Sequence, residues 1–249
     1  MKLPKIFAHR GANSFAPENT LSAFEKALEL GCDGIEIDVR YNCGNRILVF
    51  HDRNTYRLTG VKNHIQKITH KQIQELKIRQ GNFPEEKIPT LEEVLEIIRD
   101  RALIIIDIKK ENFSRNGFEE KIIKILNKFY LQENIILSSF NPFVLRKIAV
   151  INPKFHLGFI FRNRSSMMML NGHPICSLHV RSRILSKTYL TYLKSRVESV
   201  FAWTIDKPEE MLQCISKNVD GIISNRPELF FDITNRLSQG ESTKKNSIS

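Results

Sequence analysis

Several side chains suited to acid–base and metal chemistry lie near the start of the chain, each at the end of an apolar segment. They are His9, the pair Glu36 and Asp38, and His51. Because side chains alternate between the two faces of a strand, Glu36 and Asp38 share one face while Ile37 takes the other. Two adjacent carboxylates among apolar residues are unfavourable unless a cation or a shared proton compensates their charge. The spacing therefore predicts a site that holds a cation or a proton.

A third carboxylate ends a later apolar segment. Asp107 and Lys109 are two residues apart, so they also share a face of their strand. In a barrel the ends of neighbouring strands meet at one mouth, and we expect Asp107 to join Glu36 and Asp38 there. Oxygen ligands suit a hard cation, and the predicted cofactor is Mg²⁺ or Ca²⁺ rather than zinc. The alternative is that these carboxylates form structural ion pairs.

Two histidines and two basic side chains complete the predicted chemistry. Imidazoles exchange protons near neutrality, so His9 and His51 could serve as acid and base in hydrolysis of a phosphodiester. Arg10 and Lys109 could hold phosphate oxygens. A lone histidine at a strand end is more often a hydrogen-bonded structural residue, but two beside metal-type carboxylates favour catalysis. Which histidine is the base stays open at this stage.

The elements that position these residues alternate between short apolar strands and helices with one apolar face. This alternation is typical of a mostly parallel α/β fold. A barrel needs eight strands, so at least one predicted strand is peripheral. The nine predicted strands are 5–9, 33–39, 46–50, 102–108, 134–140, 155–161, 175–180, 200–205 and 221–224.

One link between predicted strands, 40–45, is too short for a crossover helix. A two-residue hairpin turn at Cys43 and Gly44 would place Glu36 directly opposite His51. After the third strand, a helix is predicted over 69–79 between two loops, 54–66 and 80–89. These segments predict a small excursion beside the site.

Length, charge and apolar content limit the class of protein. The 249 residues predict one domain over 1–235 and a disordered polar tail over 236–249. The net charge of +11 favours an anionic partner, and the alternative is that the basic residues simply form a solvated surface. The cysteines show no CxxC pair, which argues against a zinc site or a disulfide framework. Without a transmembrane span or a signal-peptide pattern, we expect a cytoplasmic protein, compatible with peripheral membrane contact.

A series of motifs extends in order over about residues 5 to 230. They are HRG at 9–11, PENT at 17–20, GCDGIEIDV at 31–39, VFHD at 49–52, RLTG at 57–60, IPTLEEVL at 88–95, SSF at 138–140, AWTID at 202–206 and DGIISNRP at 220–227. This order resembles the glycerophosphodiester phosphodiesterase family. The resemblance implies a TIM-type (β/α)8 barrel with a small loop excursion after the third strand.

The resemblance also implies an activity and a set of site residues. Such an enzyme uses a divalent cation to cleave glycerophosphodiesters to sn-glycerol 3-phosphate and an alcohol, in glycerophospholipid catabolism. Trp203 would pack against the glycerol or the leaving alcohol, although a barrel-core aromatic is the alternative. The implied roles are metal ligands for Glu36, Asp38 and Asp107, acid and base for His9 and His51, and substrate contacts for Arg10, Lys109 and Trp203.

The chain departs from the family pattern at a few positions. The family usually has Glu where this chain has Asp107, so direct coordination there needs a strand shift or a bridging water. Ser224 and Asn225 replace the usual Thr and Asp. The attacking group, either water or the neighbouring glycerol hydroxyl, stays open, as do the leaving alcohol and the oligomeric state.

Two other functions use similar residues. A related barrel enzyme acting on lysophospholipids at a membrane surface would also exploit the basic charge and a Trp-lined pocket. A basic nucleic-acid-binding barrel would bind with salt-dependent affinity and hydrolyse nothing, but the intact site residues argue against it. The predicted partner is therefore a small-molecule glycerophosphodiester, with no nucleic acid.

Overall fold

Strands and helices alternate along the chain, as the sequence predicts. The structure, a computed structural model, describes residues 2–110, 117–170 and 172–239. The strands are β1 (Lys5–His9), β2 (Gly34–Asn42), β3 (Arg46–Val49), β4 (Lys77–Ile78), β5 (Glu86–Lys87), β6 (Leu103–Ile108), β7 (Ile135–Ser139), β8 (His156–Phe161), β9 (Ser177–Arg181), β10 (Ser199–Trp203) and β11 (Gly221–Ser224). The helices are α1 (Leu21–Glu29), α2 (Tyr56–Thr59), α3 (His70–Glu75), α4 (Leu91–Ile98), α5 (Phe118–Phe129), α6 (Pro142–Ile151), α7 (Lys187–Lys194), α8 (Pro208–Lys217) and α9 (Pro227–Ser238).

Eight parallel strands close into a barrel. β1 pairs with β2 on one side and with β11 on the other, and the remaining pairs are β2–β6, β6–β7, β7–β8, β8–β9, β9–β10 and β10–β11. This arrangement confirms the TIM-type (β/α)8 class. β3 is the peripheral ninth strand, and it pairs antiparallel with the outer half of β2.

The hairpin between β2 and β3 differs from its prediction. Asn42 pairs with Arg46, so the loop has three residues instead of two and the register is displaced by one. Asn45 takes a left-handed φ of 56°, the conformation that closes a three-residue hairpin loop. The predicted pairing of Glu36 directly opposite His51 is therefore wrong, although both residues still lie at the same mouth of the barrel.

The excursion after β3 contains more regular structure than predicted. The predicted helix over 69–79 ends at Glu75, because Leu76 turns to extended backbone and the Arg79 amide donates to the Leu58 carbonyl at 2.6 Å. The short strands β4 and β5 then form a hairpin. The excursion has its own apolar cluster, shared with β3 and formed by Leu48, Phe50, Leu58, Ile65, Ile68, Ile73, Leu76, Ile78 and Ile88.

Aromatic rings fill the barrel interior beneath the mouth. Phe7 and Phe201 lie with ring centroids 5.2 Å apart, and His179 lies 5.1 Å from Phe201. Glycines on neighbouring strands leave room for these rings. A Cβ added to Gly34 would lie 2.3 Å from the Phe7 ring, and one added to Gly158 would lie 2.7 Å from His179 Nε2.

The final helix, α9, was not predicted from the sequence. It begins with Pro227 at its first turn and carries Arg236 in its last, both of which favour a helix. Because α9 continues to Ser238, the predicted boundary at 235 falls within it, and residues 240–249 of the predicted tail lie outside the described residues. Within the described ranges, no helix is long and apolar enough to cross a membrane.

Candidate active site

The predicted site residues converge at the carboxyl ends of the barrel strands. A cavity of about 120 Å³ opens there. Asp38 lies next to it, fully buried. The predicted residues that line the cavity are His9, Arg10, Glu36, His51, Asp107, Lys109 and Trp203.

Strand register explains why the carboxylates and the first histidine meet. β1 and β2 pair His9 with Glu36, and β2 and β6 pair Asp38 with Asp107. In a parallel sheet such partners lie side by side on the same face. One carboxylate oxygen from each of Glu36, Asp38 and Asp107 lies within 4.8 Å of the others.

Two basic side chains compensate this acidic cluster. Lys109 Nζ lies 2.9 Å from Asp38 Oδ1 and also contacts Asp107 Oδ2. Arg10 Nε lies 3.0 Å from the second oxygen of Asp38. The predicted phosphate-binding side chains thus pair with carboxylates in this structure, as in the structural ion-pair alternative, while both still line the cavity.

Burial and charge separate the pKa values of the three carboxyl groups. Burial, reinforced by the Asp38 charge, raises the pKa of Glu36 well above its usual value. Burial also raises the pKa of Asp107. Burial alone would raise the pKa of Asp38 too, but Lys109 and Arg10 hold it well below its usual range. Ionisation of all three carboxyl groups is therefore unfavourable unless nearby cations compensate their charge.

The donor set fits a hard divalent cation. Asp107 Oδ1 is buried and accepts no hydrogen bond from any side chain or amide in the described ranges. Three carboxylates from two adjacent strands supply oxygen ligands only, the type that Mg²⁺ and Ca²⁺ prefer. Asp107 lies within the cluster despite its short side chain, so the observed spacing does not exclude it as a ligand.

His9 is oriented by residues that follow the last barrel strand. Its Nδ1 lies 2.6 Å from Asn225 Oδ1, which also accepts a hydrogen bond from the Asn13 side chain. The Asn225 amide group donates to Asp206 at 2.8 Å, which fixes its oxygen towards His9. His9 Nε2 points to the acidic cluster, 3.9 Å from Glu36. Burial, together with the Arg10 charge, lowers the pKa of His9 to about 4.

His51 is oriented by a chain of alternating charges. Its Nδ1 lies 2.7 Å from Asp52 Oδ1, and Arg57 binds the other Asp52 oxygen at 2.6 Å. Arg57 also donates to both oxygens of Glu18, at 3.0 and 2.6 Å. Glu18 in turn accepts from Arg10 at 2.8 Å. We define these five residues as the charge chain.

Sequence reasoning missed most of these supporting contacts. Glu18 and Asn19 were not among the predicted site residues, but Glu18 binds two arginines, and the Asn19 side chain donates to Asp38 at 2.9 Å. Helix α1 is capped by Thr20.

The wall of the cavity formed by β7 to β10 contains Trp203 and other residues that were not among the predicted site residues. Trp203 lies there and donates from Nε1 to the His179 carbonyl at 3.0 Å. Phe140, Arg162 and His179 also line the cavity. His179 lies on β9 and Arg162 directly follows β8, both at positions of the alternation that face the barrel interior, so the rule used for Glu36 could have identified them.

Fold and site together define a (β/α)8-barrel enzyme whose mouth combines an acidic cluster, two histidines and basic side chains, a set suited to phosphate esters. Comparison with known proteins agrees with this class. The model of the glycerophosphoryl diester phosphodiesterase family matches residues 9–229. The chain belongs to this family, and it is a phosphoric diester hydrolase.

Several relatives match over nearly their whole length. A glycerophosphodiester phosphodiesterase of Caldanaerobacter subterraneus is 33% identical, with 93% of this chain and 98% of the relative covered. The structure of an Oleispira antarctica phosphodiesterase in complex with the product sn-glycerol-3-phosphate is 25% identical, with a TM-score of 0.82 and 95% and 97% coverage. A glycerophosphodiester phosphodiesterase structure from Thermotoga maritima is 26% identical, with a TM-score of 0.74 and 94% and 99% coverage.

Proposed function

We propose that this enzyme uses Mg²⁺ or Ca²⁺ to hydrolyse glycerophosphodiesters to sn-glycerol 3-phosphate and an alcohol, in glycerophospholipid catabolism. The observation that carries the proposal is the convergence of His9 and His51 on one cavity with three buried carboxylates. The product bound to the Oleispira phosphodiesterase supports the choice of product.

The acidic cluster is the proposed cation site. Glu36, Asp38 and Asp107 would hold the ion, which neutralises charge on the phosphate when bound. Because the ion would then compensate the charge of Asp38 and Asp107, the Lys109 ammonium that now pairs with them could bind a phosphate oxygen instead. Arg10 lines the same cavity and would bind a second oxygen.

The hydrogen bonds of the two histidines suggest different roles. His9 Nδ1 donates to Asn225, so the neutral ring carries its lone pair on Nε2, where it can accept the proton of the attacking group, either water or the glycerol hydroxyl. His51 Nδ1 donates to Asp52, and a carboxylate there stabilises the imidazolium. His51 is therefore the proposed acid that protonates the leaving alkoxide.

Removal of either imidazole tests this mechanism. His9→Ala and His51→Ala should each lower kcat by about 10²–10⁴-fold, because each removes one proton-transfer group. Release of sn-glycerol 3-phosphate from several glycerophosphodiesters should be measured with EDTA, Mg²⁺ and Ca²⁺, and circular dichroism should confirm that the variants fold.

A third histidine provides the matched control. His156 is exposed at the start of β8, at the opposite end of the barrel, so His156→Ala should keep full activity. Full activity of both site variants would refute the assignment. Faster hydrolysis of micellar lysophospholipid than of water-soluble diesters would instead favour the membrane-surface enzyme.

A further inference from the structure

The cavity wall across from the acidic cluster combines two aromatic rings with an arginine. Phe140 follows β7, and Trp203 ends β10, with ring centroids 5.8 Å apart in an edge-to-face arrangement. Arg162 follows β8, and its guanidinium lies 5.1 Å from the centre of the Phe140 ring and 5.8 Å from that of Trp203. The arginine therefore contacts both rings.

A second arginine lies beside the first. β9 lies between β8 and β10 and ends at Arg181, and the register pairs Phe161 with Val180. Arg162 and Arg181 therefore occupy adjacent positions at the mouth. Within the described ranges, neither forms an ion pair with a carboxylate. The wall thus presents positive charge that this part of the protein does not neutralise.

This charge opposes one class of leaving group. Trp and Phe rings without a neighbouring cation are suited to quaternary ammonium groups, which bind over ring faces. Here Arg162 lies over both rings, and Lys109 Nζ lies 5.7 Å from the Phe140 ring centre. A choline group would have to displace the guanidinium and remain beside like charges, which is unfavourable.

The same geometry suits a leaving group of the opposite charge. A guanidinium donates two parallel hydrogen bonds to a phosphate or carboxylate, and its planar contact with aromatic rings limits its motion. Arg162 lines the cavity directly, so an anionic group on the substrate can reach it.

We propose that Arg162 makes the enzyme prefer glycerophosphodiesters whose leaving alcohol carries an anionic group over those with a quaternary ammonium. This specificity rests on the proposed function, and it assigns the leaving alcohol to the wall of the cavity that Arg162 and Trp203 line. Phe140 and Trp203 hold the guanidinium in place.

Three substrates that differ in leaving-group charge test the proposal. They are glycerophosphocholine, glycerophosphoinositol and glycerophosphoinositol 4-phosphate, all assayed by release of sn-glycerol 3-phosphate at one ionic strength. The wild-type kcat/KM should be at least about tenfold higher for the inositol 4-phosphate diester than for the choline diester. Arg162→Gln should reduce this ratio about tenfold, chiefly by lowering kcat/KM for the inositol 4-phosphate diester.

Arg164 offers a matched control. It is an exposed arginine two residues further along, and its guanidinium lies 4.3 Å from the Tyr189 ring centre instead of in the cavity. Arg164→Gln removes the same charge and should leave the ratio unchanged.

The outcomes separate the specificity from the function on which it rests. Equal rates on choline and inositol 4-phosphate diesters, or an unchanged ratio in Arg162→Gln, overturn the specificity while the hydrolase function stands. An equal loss in Arg164→Gln also overturns it, because the effect would then come from overall charge. No hydrolysis of any diester by the wild type, with either metal, overturns both proposals.

Discussion

The charge chain links His51, the proposed acid, to Arg10, the proposed phosphate contact, through residues from different parts of the molecule. Arg57 is its central member, since it binds Asp52 on one side and Glu18 on the other. Arg57 belongs to α2 of the excursion, whereas Glu18 precedes α1. The excursion therefore contributes to the orientation of His51.

Substitution of Arg57 by lysine tests this positioning role. Arg57→Lys keeps the charge, but a single ammonium cannot bind both oxygens of Glu18 and also Asp52. We expect kcat to fall about tenfold to a hundredfold with a smaller change in KM, because His51 loses its fixed orientation. Steady-state kinetics of sn-glycerol 3-phosphate release measure the changes in kcat and in KM separately.

A second arginine of the excursion is the control for this change. Arg79 is exposed and pairs with Glu85 at 2.7 Å, away from the cavity. Arg79→Lys should leave both constants within twofold of the wild type. If Arg57→Lys has equally little effect, Arg57 does not position His51.

The site was predictable where it depends on local sequence. Alternation along a strand and convergence of strand ends were sufficient to bring together His9, Glu36, Asp38 and Asp107. Contacts such as that between His9 and Asn225 join residues 216 positions apart, and no local pattern encodes them. The predicted cytoplasmic location and the predicted lack of a nucleic-acid partner are not tested by the structure and stay predictions.

At the scale of elements, apolar periodicity predicted the strands better than it predicted the excursion. All nine predicted strands are present, β1 and β11 with the predicted bounds. The excursion itself was predicted, but its two strands were not, because strands of two residues are too short for a periodic pattern and depend on contacts with β3. The hairpin register was missed because one left-handed residue, Asn45, adds a position to the loop.

Glycines inside the barrel set how closely neighbouring strands and rings pack. Gly34→Ala should lower the free energy of unfolding by about 3 kcal/mol, since its Cβ would lie 2.3 Å from the Phe7 ring and 2.9 Å from the Leu103 carbonyl. Denaturant unfolding measures the change.

Gly31 allows a comparison without a steric clash. It has a φ of 77°, and nothing lies within 4 Å of an added Cβ. Gly31→Ala should cost about 1 kcal/mol through backbone strain alone. A larger loss for Gly31→Ala than for Gly34→Ala would contradict the role of ring packing.

At the scale of the whole molecule, buried histidines couple stability to pH. Burial lowers the pKa of His179 from 6.5 to about 3. Between these values the unfolded chain binds a proton that the folded protein does not, so stability falls as the pH is lowered from 6.5 towards 3. His179 contributes at most about 1.4 kcal/mol per pH unit to the slope of the unfolding free energy against pH. His9, with its pKa lowered to about 4, adds to the slope in the same direction.

Replacement of His179 should flatten this dependence. His179→Gln should reduce the slope of unfolding free energy against pH by up to about 1.4 kcal/mol per unit between pH 6 and 4. Denaturant unfolding at several pH values gives the slope. His156→Gln, at an exposed position, should leave it unchanged, and an unaltered slope in His179→Gln would show that His179 does not remain neutral on folding.

Closure of the barrel has a consequence for biosynthesis. A ribosome makes His9, the three carboxylates and His51 in the first half of the chain, but Asn225, the partner of His9, follows β11. A nascent chain that ends before β11 holds nearly all the chemical groups of the site and lacks the strand that joins β1 to β10. Hydrolysis is therefore expected only after β11 has been made, and product formation during translation would time the closing of the barrel.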